Sequence, residues 1–203
     1  MATNLSTLRN LLILTAALLA GLIVAFILAP RNSENNQLLA HKLGGDFTLQ
    51  GIEGSTSLQD FRGKVVMLYI GYASCPDVCP TSLAVMSQSM KNLTAEESSQ
   101  VQPIFISVDP DRDTPERLTE YSQFFHPSMI GLSGSRENLD QVVKQYGAFY
   151  RMVELKDSAM GYAVDHSSRI YLIDRQGALK DTLMHGTMPT ELTERLRELL
   201  ATN

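Results

Sequence analysis

Apolar residues in this 203-residue chain recur in three patterns. The first is an unbroken run over Leu11–Ala29, LLILTAALLAGLIVAFILA, nineteen residues without a charge. At about 1.5 Å of rise per residue, such a run is long enough to cross a hydrocarbon core as a helix. A cleaved signal peptide has a shorter apolar stretch, roughly 7–15 residues, followed by small residues two apart. Ala25 and Ala29 do not have that spacing. A buried core helix would show polar positions along one face. The run therefore predicts an uncleaved membrane anchor at 11–29 behind a short head, 1–10. Arg9 and Arg31 flank it at either end, which leaves the charge rule for orientation nearly silent. The head lacks the Arg-rich amphipathic character of a mitochondrial transit peptide. PRNSENNQLLAHKLGG at 30–45 is polar and turn-rich and reads as a tether, so 46–203 is the working domain.

The second pattern is short, dense and β-branched. KVVMLYIGY at 64–72 and VQPIFISVD at 101–109 have the near-continuous apolar character of strands buried on both faces. FTLQ at 46–49, MIGLSG at 129–134 and SRIYLID at 168–174 are further strands; a turn at 175–177 returns the chain as ALKDTLMH. The third pattern has helical spacing. Leu83, Met86, Met90 and Leu93 follow Pro80, and these methionines read as core packing rather than a metal relay. TPERLTEYSQFF at 114–125 opens with Thr114 as N-cap and Pro115 at the first helical position. Ser135 caps a helix to Tyr146, and TELTERLRELL closes the chain. Strands alternating with helices of this length predict an α/β sheet with right-handed crossovers, part of it made antiparallel by the final hairpin.

Composition narrows the function. Hydrophobic residues are 44% of the chain, which excludes a disordered or fibrous protein. With 17 Lys+Arg against 22 Asp+Glu, there is no basic stripe to neutralise phosphates, so a nucleic-acid partner is not expected.

The chemistry lies in SCPDVCP, which holds both cysteines of the chain, Cys75 and Cys79. They follow the strongest strand and precede a helix, the position where open α/β sheets bind ligands. Pro76 and Pro80 predict an exposed turn, with Cys79 near the N-cap, where a helix N-terminus favours thiolate over thiol. A redox dithiol is one reading, although its usual spacing is C-x-x-C. A soft-metal site for monovalent copper, zinc or iron–sulfur is the other. Further ligands would come from His41 in the tether, His126 at a helix end (otherwise a helix-end cation or surface residue), His166 in a loop feeding an apolar strand, or His185 at the end of ALKDTLMH. Spacing alone singles out none of them. The acidic run DPDRDTPE at 109–116 lacks the length and glycine of a calcium loop. It reads as a helix start, with Asp113 and Thr114 capping and Glu116 complementing the dipole.

Three segments together, GYASCPDVCPTSL (71–83), ISVDPDRDTPE (106–116) and VDHSSRIYLID (164–174), resemble the signature segments of the Sco (SenC) family, membrane-anchored copper proteins of cytochrome c oxidase assembly. The similarity runs in order over roughly 40–200. Ile70 and Ala73 depart from the family's usual residues, neither at a ligand position. The resemblance implies a thioredoxin-like fold with a mixed central sheet flanked by helices. It implies copper, monovalent or divalent, held by Cys75, Cys79 and His166, with Tyr72 and Asp165 as candidates to support the histidine. It further implies a copper chaperone serving the dinuclear copper centre of an oxidase subunit, facing the periplasm from a bacterial inner membrane; a mitochondrial inner-membrane setting is the alternative. Other copper chaperones or thiol reductants would be further partners. The competing function is a thiol:disulfide reductase that keeps the oxidase subunit's own cysteines reduced.

Overall fold

Two seven-residue strands in parallel register form the centre of the structure, because neither has a polar face to give to water. In the computed structural model, β3 (Val65–Gly71) and β4 (Val101–Ser107) are buried at every position and pair from Val65↔Val101 to Gly71↔Ser107. The model describes residues 10, 12–19, 21, 43–156, 158 and 160–202. Most of the expected anchor and tether, with His41, lies outside the described residues. Among the described residues, no helix is long and apolar enough to cross a membrane.

From Leu43 onward the elements are β1 (Thr48–Gly51), β2 (Gly54–Ser57), a 3-10 turn (Leu58–Phe61), β3, α1 (Val78–Asn92), α2 (Ala95–Ser99), β4, α3 (Pro115–Phe125), β5 (Ile130–Leu132), α4 (Arg136–Gln145), β6 (Tyr150–Glu154), β7 (Tyr162–His166), β8 (Arg169–Ile173), β9 (Leu179–Met184) and α5 (Pro189–Ala201). The main sheet has the order β5-β4-β3-β8-β9. β5, β4 and β3 are parallel, while β8 and β9 run antiparallel, the sense their hairpin requires. The result is the expected mixed sheet flanked by helices.

Strand alternation sorts the two faces. On one, Tyr69 of β3 stacks on its register partner Phe105, which meets Tyr121 of α3. Met86 and Met90 of α1 are buried in the core, as their spacing predicts. On the other face, Tyr171 of β8 sits beside Leu68 and packs edge-on against Tyr146 at the end of α4, which in turn meets Phe47. Thr114 and Ser135 cap α3 and α4 as expected, each accepting a hydrogen bond from the backbone three residues on.

The main departures from the sequence reading are a hairpin and the start of α1; β2, the 3-10 turn and α2 also have no counterpart in it. Residues 150–154 and 162–166 form a separate hairpin, β6–β7, in register from Tyr150↔His166 to Glu154↔Tyr162. Neither segment has a long apolar run, so neither stands out by hydropathy. His166 is therefore the last residue of a strand, rather than part of a loop. α1 also starts earlier than expected, at Val78. Pro80 is accommodated because the first four N–H groups of a helix have no intrahelical acceptor.

Gly131 of β5 shows how tightly α3 lies on the sheet edge. A methyl group there would come within 2.6 Å of the Leu118 carbonyl oxygen and 2.7 Å of the Ser122 hydroxyl. Gly131→Ala is expected to destabilise the fold by about 1–3 kcal/mol, the usual cost of overpacking. Urea denaturation measures this, and an unchanged midpoint would show that α3 gives way freely.

Candidate metal centre

At Gly71 the chain leaves β3. A turn follows, in which the Cys75 N–H donates to the Tyr72 carbonyl at 3.2 Å, and α1 begins three residues later. Cys79 is thus the second residue of a 15-residue helix, where aligned peptide dipoles favour negative charge. The expected exposed turn is instead buried at its functional atoms: Cys79 is fully enclosed and Cys75 retains 9% exposure. The prolines shape the turn, but the sulfurs point inward, under the hairpin that carries His166.

That hairpin brings His166 to the sulfurs from 87 positions away, with Nε2 at 3.2 Å from the Cys79 Sγ. One donor atom from each of Cys75, Cys79 and His166 lies within 4.8 Å of the others, and among the described residues this is the cluster of His, Cys, Asp or Glu able to hold a metal ion. Ser167 continues the hairpin, its N–H donating to the Phe149 carbonyl at 2.9 Å. The Ser167 carbonyl oxygen lies 3.2 Å from His166 Nδ1. A carbonyl only accepts, so this contact calls for a proton on Nδ1, while Nε2 faces the sulfurs. Tyr69 and Tyr72 hold the ring edge-on, with centroids at 6.2 and 5.8 Å.

The two thiols are free and chemically unequal. The hydrogen bond from Cys79 pulls the Cys75 thiol down to about 3, against the opposing effect of burial. Burial, followed by the hydrogen bond to Cys75, pushes Cys79 up. The metal-free pair therefore holds one proton, on the buried sulfur, and one negative charge, on the outer one. An open groove of about 490 Å³ leads to Cys75 and His166, walled by Tyr72, Pro76, Val78, Met160 and Val164.

Other expected site residues fall elsewhere. Asp165 pairs with Arg151 at 2.7 Å, an exposed ion pair that does not support the histidine. Adjacent strand residues point to opposite faces, so Asp165 and His166 diverge. His126 ends α3 as expected, and burial, then the nearby Lys91 charge, lowers its pKa. His185 is exposed, with Nδ1 3.3 Å from the Ser82 hydroxyl.

One feature escaped the sequence reading and another was read only in part. One is Gly71, where a methyl group would lie 2.6 Å from the Cys79 Sγ and 3.4 Å from His166 Cε1. The other is DPDRDTPE. Thr114 alone caps α3, and Asp113 is buried, accepting from the Ala73 N–H at 2.8 Å and the Ser107 hydroxyl at 2.6 Å. Asp109 is also buried, accepting from the Tyr162 hydroxyl at 2.7 Å and paired with Arg112. The available signal was redundancy: with Thr114 already in place, a second capping residue had nothing to cap.

The fold and the cluster define a class, a mixed α/β domain presenting two cysteines and a histidine at the end of its central strand. Residues 35–201 match the family model described as SCO1/SenC, and the chain belongs to that family. The bovine protein named "Protein SCO2 homolog, mitochondrial" is 37% identical over 204 residues, covering 96% of this chain and 76% of that one. A crystal structure of Arabidopsis thaliana ScoI with copper bound superposes with a TM-score of 0.73 at 34% identity, covering 79% of this chain and 99% of that one. Bradyrhizobium japonicum ScoI, also with copper bound, gives a TM-score of 0.69 at 35% identity, covering 77% and 99%.

Two outcomes follow from this geometry. Alkylation of Cys75 by a neutral reagent should vary by no more than about threefold between pH 5 and 8, because its thiolate persists well below the ordinary thiol range. A tenfold fall per pH unit would show an unperturbed thiol. Gly71→Ala should cost about 1–3 kcal/mol of stability by crowding the Cys79 sulfur. Thermal unfolding checks it, and a wild-type midpoint would mean that the sulfur moves aside without resistance.

Proposed function

We propose that the chain is a copper carrier. It takes up copper between Cys75, Cys79 and His166 and passes it to the dinuclear copper centre of a cytochrome c oxidase subunit. In this reading Leu11–Ala29 anchors it to a bacterial inner membrane, with the domain facing the periplasm. The observation that carries the proposal is the convergence of two sulfurs and an imidazole, from two stretches of chain 87 positions apart, within 4.8 Å. The copper-bound structures of its relatives support the choice of ion.

The donor set fits a carried ion. Two thiolates suit monovalent copper, and an imidazole adds a ligand suited to the divalent ion. Uptake displaces the proton held by Cys79, so binding weakens as pH falls. Three donors leave the ion's coordination incomplete, and the groove at Cys75 and His166 gives an acceptor's ligand a route to it.

A second reading, thiol:disulfide exchange, is favoured by one observation: both cysteines are free and Cys75 is held as a thiolate, the nucleophilic form. The histidine separates the two. In the full chain loaded with divalent copper, His166→Ala should weaken binding at least about tenfold and shift the visible spectrum, while monovalent binding through the cysteines persists. Unchanged copper content and spectra would remove His166 from the site. A Cys75–Cys79 reduction potential too low for available donors to reduce would dispose of the reductase reading.

A further inference from the structure

His166 sits on a hairpin outside the main sheet, joined to that sheet on one side through Ser168, whose carbonyl accepts from the His185 N–H at 3.0 Å before β8 begins at Arg169. The segment 109–113 touches both sides of the site. Toward the cysteines, the Asp113 carboxylate accepts the N–H of Ala73, two residues before Cys75. Toward the histidine, contacts converge on Tyr162, at the far end of the five-residue strand that His166 ends. Its hydroxyl donates to Asp109, its carbonyl accepts from Arg112 at 3.0 Å, and the Arg112 guanidinium lies 3.7 Å from its ring centroid. The two sides cannot move independently, because the segment is a tight turn: the N–H groups of Arg112 and Asp113 both donate to the Asp109 carbonyl, at 3.2 and 3.0 Å.

Buried carboxylates are costly unless paired, and Asp109 and Asp113 are both almost wholly enclosed. Helix capping does not need them, since Thr114 does that work. We propose that 109–113 is a brace that sets the gap between the two sulfurs and the imidazole, with Asp113 as positioning residue for the cysteine turn and Arg112 and Tyr162 as positioning residues for His166. The inference rests on the reading of Cys75, Cys79 and His166 as a copper site.

A brace predicts damage divided by side. In the full chain, Arg112→Met should weaken divalent-copper binding about tenfold and shift the thiolate-to-copper absorption, within the range seen when groups behind a metal ligand are altered. Monovalent binding should stay within about threefold, because the thiolates that suit that ion are held by Asp113. In the metal-free protein, amide hydrogen exchange along β6–β7 should accelerate about tenfold while the Cys75 amide is unchanged. Asp113→Asn should do the converse, loosening the cysteine turn and weakening both oxidation states. Should Arg112→Met fail to fold, Tyr162→Phe, which keeps the ring under the guanidinium and loses only the hydroxyl, gives the same readings at smaller amplitude. Wild-type exchange and spectra in these variants would overturn the brace, as would equal loosening of both sides. His166→Ala measured alongside separates the two ideas: if it leaves the divalent spectrum unchanged, the copper-site reading fails, while the exchange data still judge the brace.

Discussion

The 3.2 Å approach of the His166 imidazole to the Cys79 sulfur is the contact around which the domain is organised. It joins the start of a helix to the end of a strand over the exit of β3. Three conditions make it available. β3 must end flush at the sheet's edge, α1 must begin almost at once, and nothing may project from Gly71 into the space between. The third is the most exacting, since even a methyl group there would press on the sulfur at 2.6 Å. The parallel β3–β4 pair meets the first condition by ending both strands together, at Gly71↔Ser107, and so placing the DPDRD turn beside the cysteine turn.

Enclosure gives that contact its chemistry. A sulfur in a dry environment resists ionising, so charge collects on the outer cysteine while the inner one keeps the proton. The histidine complements this arrangement, with Nε2 directed at the sulfurs. The site is thus suited to a soft cation, with two sulfurs of unequal acidity and one imidazole nitrogen facing the same point. The same asymmetry in the dithiol would serve thiol exchange, so chaperone and reductase readings grow from a single physical feature and part only over the histidine.

The main sheet, its longer helices and the Thr114 and Ser135 caps were legible along the chain because each signal is local: a run of β-branched residues, a 3.6-residue recurrence, or a Ser or Thr three residues ahead of the N–H it accepts. Cys75 and Cys79 were legible for the same reason, standing together at the end of the strongest strand. The β6–β7 hairpin was not, because its strands are half-exposed and too mixed for hydropathy to mark. Asp113 was misread as a cap because its true partners, the Ala73 N–H and the Ser107 hydroxyl, are remote in sequence or hidden by strand geometry. His166 could be picked from four histidines only through its resemblance to a family motif.

Sequence by itself determined an α/β sheet, the pair of thiols at the end of its strongest strand and the family to which the chain belongs. These follow from neighbour-to-neighbour chemistry and from strings of residues specific enough to be recognised. Tertiary structure alone decided that the sulfurs are enclosed, that the imidazole reaches them through Nε2, that Asp165 turns away, and that an acidic turn ties both sides of the site together. Those facts depend on distances between groups separated by tens of residues, and only the packing of the whole sheet sets such distances.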